Sequence, residues 1–340
     1  MAGKIRFSPL FLVVFGVCMV SYSGPMVKGA LHAGANPASI AALRMLSAGG
    51  ILALRAGGLR PAFRRTHPQS AQERNMRPAR TDSGAGAMAM VGLAALFLAG
   101  HYLAWIFSLT GVSTFASVAL VSTQPLFVAL FSYLLFRETI PRRAVPGAAL
   151  ALLGALLIAL AAAAPGQAEL AGGGQGAAGL TNGEGASGLS LSVDAGAASG
   201  AALLGAALMA AHWLTARRVR AVLPARIYTP ALYLATGSIL AVSVPFLGGF
   251  HMPGPALPYM AGLVLGSTLL GHALFSSVIE TVSPGVISFA LLGEPLGAML
   301  FAMLFLGEFP SPWVLAGGAV TLLGLCLYLA VSLHPRAGTL

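Results

Sequence analysis

The stretch SFALLGEPLGAMLFAMLFLGEFPSPWVLAGG, residues 288–318, places two glutamates, Glu294 and Glu308, in a run of Leu, Ala, Met, Phe and Gly. A carboxylate is costly in hydrocarbon. Either the run lies outside a membrane or its acids have a task there. The surrounding sequence decides. The chain is 57% hydrophobic and 8% charged, against about 25% charged in a soluble domain. Residues 83–136 hold no Asp, Glu, Lys or Arg across 54 positions, and residues 227–279 hold none across 53. A spanning helix needs ~20 apolar residues, so each stretch has room for two. The fold class read here is all-α integral membrane. A β-barrel is excluded, because its strands are short and alternate polar with apolar.

Two cysteines, Cys18 and Cys326, sit in apolar runs at opposite ends of the chain. No paired spacing joins them, so neither a disulfide framework nor a metal site is expected. The first apolar run follows Lys4 and Arg6 and looks like a signal peptide. With no small-residue cleavage site ahead of a soluble domain, it reads as a retained first helix.

Hydropathy and punctuation by Gly, Pro and charge predict ten spans: 8–28, 36–55, 88–109, 112–135, 143–163, 197–216, 228–248, 256–279, 283–306 and 312–333. Two connections are long. Residues 56–87 are arginine-rich. Residues 164–196 are rich in Gly, Ala and Ser, carry only acids, and read as a flexible external linker. An N-terminus on the inner side puts 17 of the 19 basic residues inside. Cytoplasmic loops are enriched in Lys and Arg, so the net charge of +10 is a topology signal rather than a nucleic-acid footprint. Both termini are then cytoplasmic, in a bacterial-type inner membrane.

The sequence also repeats. Shifted by 170 residues, Pro125 falls on Pro295, Glu138 on Glu308, Gly147 on Gly317 and Gly154 on Gly324. Over 112–157 there are 14 identities in 46 positions. Each half, 1–163 and 197–335, has five spans. Five is odd, so the second half enters from the opposite side. Ten helices as two inverted five-helix repeats are expected, an architecture common in secondary transporters, with the substrate site near the midplane.

Three stretches carry a family resemblance: ANPASIAALRMLSAGGIL (35–52), STQPLFVALFSYLLFRETIPRRAVPGAALALLGALLI (122–158) and LLGEPLGAMLFAMLFLGEFPSPWVLAGGAVTLLGLCLYL (291–329). They resemble the EamA-type family of the drug/metabolite transporter superfamily, in which an apolar helix with a mid-helix Pro ends in Glu and a glycine-bearing helix follows. The first copy has Gln124 where the second has Glu294. The resemblance implies ten helices, cytoplasmic termini, and transport of small metabolites.

The candidate residues follow from depth. Glu294 is 11 residues into span nine, about 16 Å at ~1.5 Å per residue, near the middle of a ~30 Å core. An ionisable group there is a functional-site hypothesis, and Glu294 is the expected site of a coupling proton; a structural hydrogen bond to a neighbouring helix is the other reading. Pro295 removes a backbone N–H beside it. Glu138 and Glu308, at symmetric helix ends, are expected to cap the helices that follow them. Arg44, the base inside span two, either pairs with Glu294 or binds a substrate carboxylate, which its planar fork suits. Lys28 is placed at an outer mouth, drawing anions or anchoring the helix. His101, His272 and Gln124 complete the candidate lining. Trp105, Tyr22, Tyr102 and Phe107 either line a cavity or pack. Gly262 and Gly266 form a GxxxG that permits close helix approach.

No HExxH, GxSxG, GxxxxGK[ST] or acidic metal cluster occurs, so no enzyme, cofactor or nucleotide-driven pump is expected. The expected function is secondary transport of an amino-acid-like metabolite by alternating access, as an exporter. Its partners are a small-molecule substrate, membrane lipid and protons, without nucleic acid, and a homodimer is left open. Multidrug or quaternary-ammonium efflux and an intramembrane enzyme are the alternatives.

Overall fold

The structure, a computed structural model, describes residues 9–56, 84–137, 142–163, 194–220, 222–272 and 290–332. Glu138, most of the 164–196 linker and the side chain of His272 lie outside the described residues. The described elements are almost all helical. They are α1 (Pro9–Ser21), α2 (Ser23–His32), α3 (Pro37–Arg55), α4 (Gly84–Ser108), α5 (Thr114–Val121), α6 (Gln124–Phe136), α7 (Val145–Ala163), α8 (Ala195–Arg220) and α9 (Ala225–Ser243). After these come α10 (Leu257–Gly262), continued by a π-helical segment Leu263–His272, then α11 (Glu294–Leu306) and α12 (Pro312–Ser332). Eight helical stretches are long and apolar enough to cross a membrane, so the chain is a multi-pass membrane protein. The eighth and ninth of the ten expected spans are described only in part, as Leu257–His272 and Glu294–Leu306.

The starts are locally encoded. Asn36 adopts an extended backbone ahead of Pro37, and its side chain accepts from Ala38 N at 2.8 Å and Ser39 N at 3.2 Å. That satisfies two N–H groups no helix can. Asn36 also donates to Leu247 O at 2.7 Å, so one residue caps α3 and ties it to the 3-10 turn Val244–Leu247 that follows α9.

Small residues set the packing. A Cβ on Gly147 would meet the backbone of Gly324 and Tyr328, and one on Gly154 would meet Gly317 and Thr321. As position rises on α7, its partner falls on α12, so the two helices run antiparallel with backbones in contact. Gly49 against Leu234 and Gly237 against Leu46 do the same for α3 and α9. Between helices in lipid, such close approach supplies the packing energy. Leu152, Leu153, Leu156, Leu157 and Leu160 face outward from α7, which suits acyl chains and not water. Gly154→Ala is expected to cost about 1–3 kcal/mol through overpacking, while Gly92→Ala, which meets open space, is near neutral. Thermal unfolding in detergent micelles checks the contrast.

The GxxxG of Gly262 and Gly266 has a different use from helix-on-helix approach. Both glycines receive the ring of Tyr22. Tyr22 marks the junction of α1 and α2 and meets Phe301 and Phe305 edge-on at 5.6 and 5.7 Å.

Candidate functional site

Two helices break at repeat-related positions. Residues Ser122 and Thr123 interrupt the passage from α5 to α6 immediately before Gln124-Pro125. Leu292 and Gly293 interrupt the chain immediately before Glu294-Pro295 at the head of α11. The cause is local. A proline has no N–H for the carbonyl four residues back, and Thr123 turns its hydroxyl onto Leu120 O at 2.7 Å. Each break leaves a polar side chain, an amide in one half and a carboxyl in the other, starting a new helix segment. Broken helices at membrane depth are tolerated where they are buried in protein or line a cavity. Glu294 is half-buried, and no described side chain hydrogen-bonds it.

Arg44, on α3, is 1% exposed. Its Nε donates to Thr268 Oγ1 at 2.9 Å, and one terminal nitrogen, Nη2, reaches Ser267 Oγ at 3.4 Å. The guanidinium lies 4.8 Å from the Tyr102 ring centroid and 5.9 Å from that of Trp105. The other terminal nitrogen, Nη1, has no partner. Among the described residues Arg44 forms no ion pair, so the direct Arg44–Glu294 contact weighed from sequence is not made. The charge is held by hydroxyls and π faces instead. Tyr102 and Trp105 are thereby committed to Arg44, and Phe107 is half-buried on the same helix.

His101 lies parallel to Trp105, with centroids 6.3 Å apart, and its Nδ1 is 2.9 Å from Gly205 O. His212, which sequence reading passed over, answers it: Nδ1 is 3.0 Å from Ala94 O. Each helix of the α4–α8 pair thus sends an imidazole to a carbonyl of the other. Gln124 is half-buried at the first break.

Lys28 and Glu308 depart furthest from expectation. Lys28 is not at an open mouth: it is buried in α2, 3.2 Å from Glu308 Oε2 and 3.0 Å from Val112 O. Glu308 is buried and does not cap the helix after it. It accepts from Thr114 N and, at 2.8 Å, from Thr114 Oγ1, which caps α5 in the other half of the chain. A carboxylate at a helix N-terminus is favoured by the free N–H groups there. The following helix, α12, takes its cap from Ser311, whose Oγ accepts from Val314 N at 3.4 Å. Ser267 and Thr268 were missed as well. Their signal was a Ser-Thr pair inside an apolar span, which periodicity alone treats as unremarkable.

Residues 7–160 match the EamA-like transporter family. No curated protein matches the chain. A solved crystal structure of a protein matches with TM-score 0.56 and 17% identity, over 96% of this chain and 99% of that one. At that identity the likeness is one of fold.

Proposed function

From a chain whose residues 7–160 match the EamA-like transporter family of the drug/metabolite transporter superfamily, we propose a secondary transporter that exports an amino-acid-like metabolite by alternating access. Ten spans form two inverted five-helix halves, with both termini on the cytoplasmic side of an inner membrane. The antiparallel packing of repeat-related helices, α3 on α9 and α7 on α12, supports the inversion. So does the gathering of basic residues at one end, where Arg218 lies 4.7 Å from the Phe136 ring.

The observation that carries the reading is Arg44: a guanidinium 1% exposed, with no acid partner among the described residues and with Nη1 unsatisfied. A buried charge left uncompensated is costly, and a substrate carboxylate is the group that completes it. Glu294 begins the broken helix and supplies the opposite charge for a substrate ammonium or a coupling proton. A zwitterion satisfies both. A purely cationic drug does not, because Tyr102 and Trp105 already carry a cation.

Flux of radiolabelled L-amino acids in proteoliposomes tests this. Protein-dependent movement of at least one is expected, and none would defeat the reading. In the same assay Glu294→Gln is expected to flatten the pH dependence of transport, since an amide carries no titrating proton. A pH profile identical to the parent's removes Glu294 as the coupling site.

A further inference from the structure

The hydrogen bonds of Arg44 use its two edges unequally. A guanidinium has two edges that bind an oxyanion with two hydrogens: the side edge containing Nε and the end fork of Nη1 and Nη2. Thr268 Oγ1 takes Nε at 2.9 Å, which closes the side edge. Thr268 donates its own hydroxyl hydrogen to Leu263 O at 2.9 Å. With that hydrogen used, only lone pairs of Oγ1 remain for Arg44, so the hydroxyl has one role and cannot turn away. The carbonyl it donates to lies five residues back, at the start of the π-helical Leu263–His272 segment. Such widened turns are rare and recur at functional sites.

The remaining surfaces of the guanidinium sort themselves. Tyr102 and Trp105 lie beside it. Ser267 holds Nη2 only at 3.4 Å, the outer limit of a hydrogen bond, and Nη1 holds nothing. The end fork is therefore the part left for a ligand.

We infer that Thr268 is a positioning residue that presents the Nη1/Nη2 fork of Arg44 to a substrate carboxylate. This rests on the transport reading above and goes further by naming what fixes the geometry and which edge binds. An end-on fork takes two coplanar oxygens that both accept. A carboxamide offers one acceptor and one donor, and the donor meets N–H. Selectivity for acid over amide is thus the property that Thr268 confers, through an arginine that it orients and without touching the ligand.

The test uses the full-length protein in detergent, with the twenty L-amino acids and their carboxamides as probes and thermal stabilisation titrated for affinity. The parent is expected to be stabilised by at least one acid and not by its amide. Thr268→Val keeps the shape and removes the acceptor; loss of one hydrogen bond to a charged group predicts about tenfold weaker binding, with the acid-over-amide preference reduced. Thr268→Ser keeps the hydroxyl and is expected to restore both, which a general packing role would not do. Thr268→Val binding with the parent's affinity and preference, while Arg44→Ala does not bind, overturns the inference and leaves the transport reading standing. A parent that responds to no acid, or equally to acids and amides, overturns the carboxylate reading itself.

Discussion

Glu308→Ala is expected to destabilise the protein by about 3–5 kcal/mol, the range for breaking a buried ion pair from one side. The loss is not one contact. Glu308 holds the ammonium of Lys28 and both the N–H and the hydroxyl of Thr114. Removing it takes the carboxylate from a buried ammonium that keeps its contact with Val112 O, and leaves Thr114 N without its acceptor, so that α5 retains only the cap from Ser113 to Ala116 N. Glu308→Gln keeps acceptor capacity for Thr114 but not the charge, so it falls between. The pair also makes a coupling prediction. Lys28→Met removes the cation that needs Glu308, so Lys28→Met with Glu308→Gln is expected to lose less than the two single changes added together. Thermal unfolding in micelles over the four proteins gives the coupling. A Glu308→Ala protein as stable as the parent would mean the pair is not closed in the folded state. Because Lys28 and Thr114 belong to the first half and Glu308 to the second, this is also a bond between halves.

Arg44→Ala is expected to give the opposite pattern: transport falls by roughly two orders of magnitude, the loss of about 3 kcal/mol for one partner of a buried charge pair, with little loss of stability. The guanidinium has no acid to strand, and its removal relieves a buried charge. The cavity it leaves offsets part of that relief. Arg44→Lys retains the charge and is nonetheless expected to fail, since an ammonium has no planar fork. Initial rates in proteoliposomes, read beside the unfolding midpoints of the same preparations, check both halves of the statement. A stable Arg44→Ala protein that transports like the parent would remove Arg44 from the site.

The contrast between Arg44 and Lys28 shows how far the sequence reaches. Both are lone bases in apolar helices, and both were candidates for binding. One turned out to be held by hydroxyls and rings with an edge to spare; the other by a carboxylate and a carbonyl. Nothing within five residues of either announces this. The break before Glu294-Pro295 was legible, because a missing N–H acts on the carbonyl one turn back; the one before Gln124-Pro125 follows the same rule but lay inside a span read as continuous. The glycines of α7 and α12 were legible too, although that Gly147 packs on the repeat partner of Gly154, and Gly154 on that of Gly147, was not. His212 and Thr268 escaped notice because a polar residue among apolar ones has no periodicity to register.

The sequence alone determined what depends on each residue's own solvation and on its near neighbours: that the chain spans a membrane, where most helices start and stop, that one breaks at Pro295, and that one half echoes the other. The tertiary structure decided which charges meet. Hydropathy is a property of a residue and its window, whereas Glu308 finds Thr114, and Arg44 finds Thr268, only after helices far apart in the chain have packed. In a low-dielectric interior those late contacts separate a charge closed by an acid from one that keeps part of its hydrogen-bonding edge free.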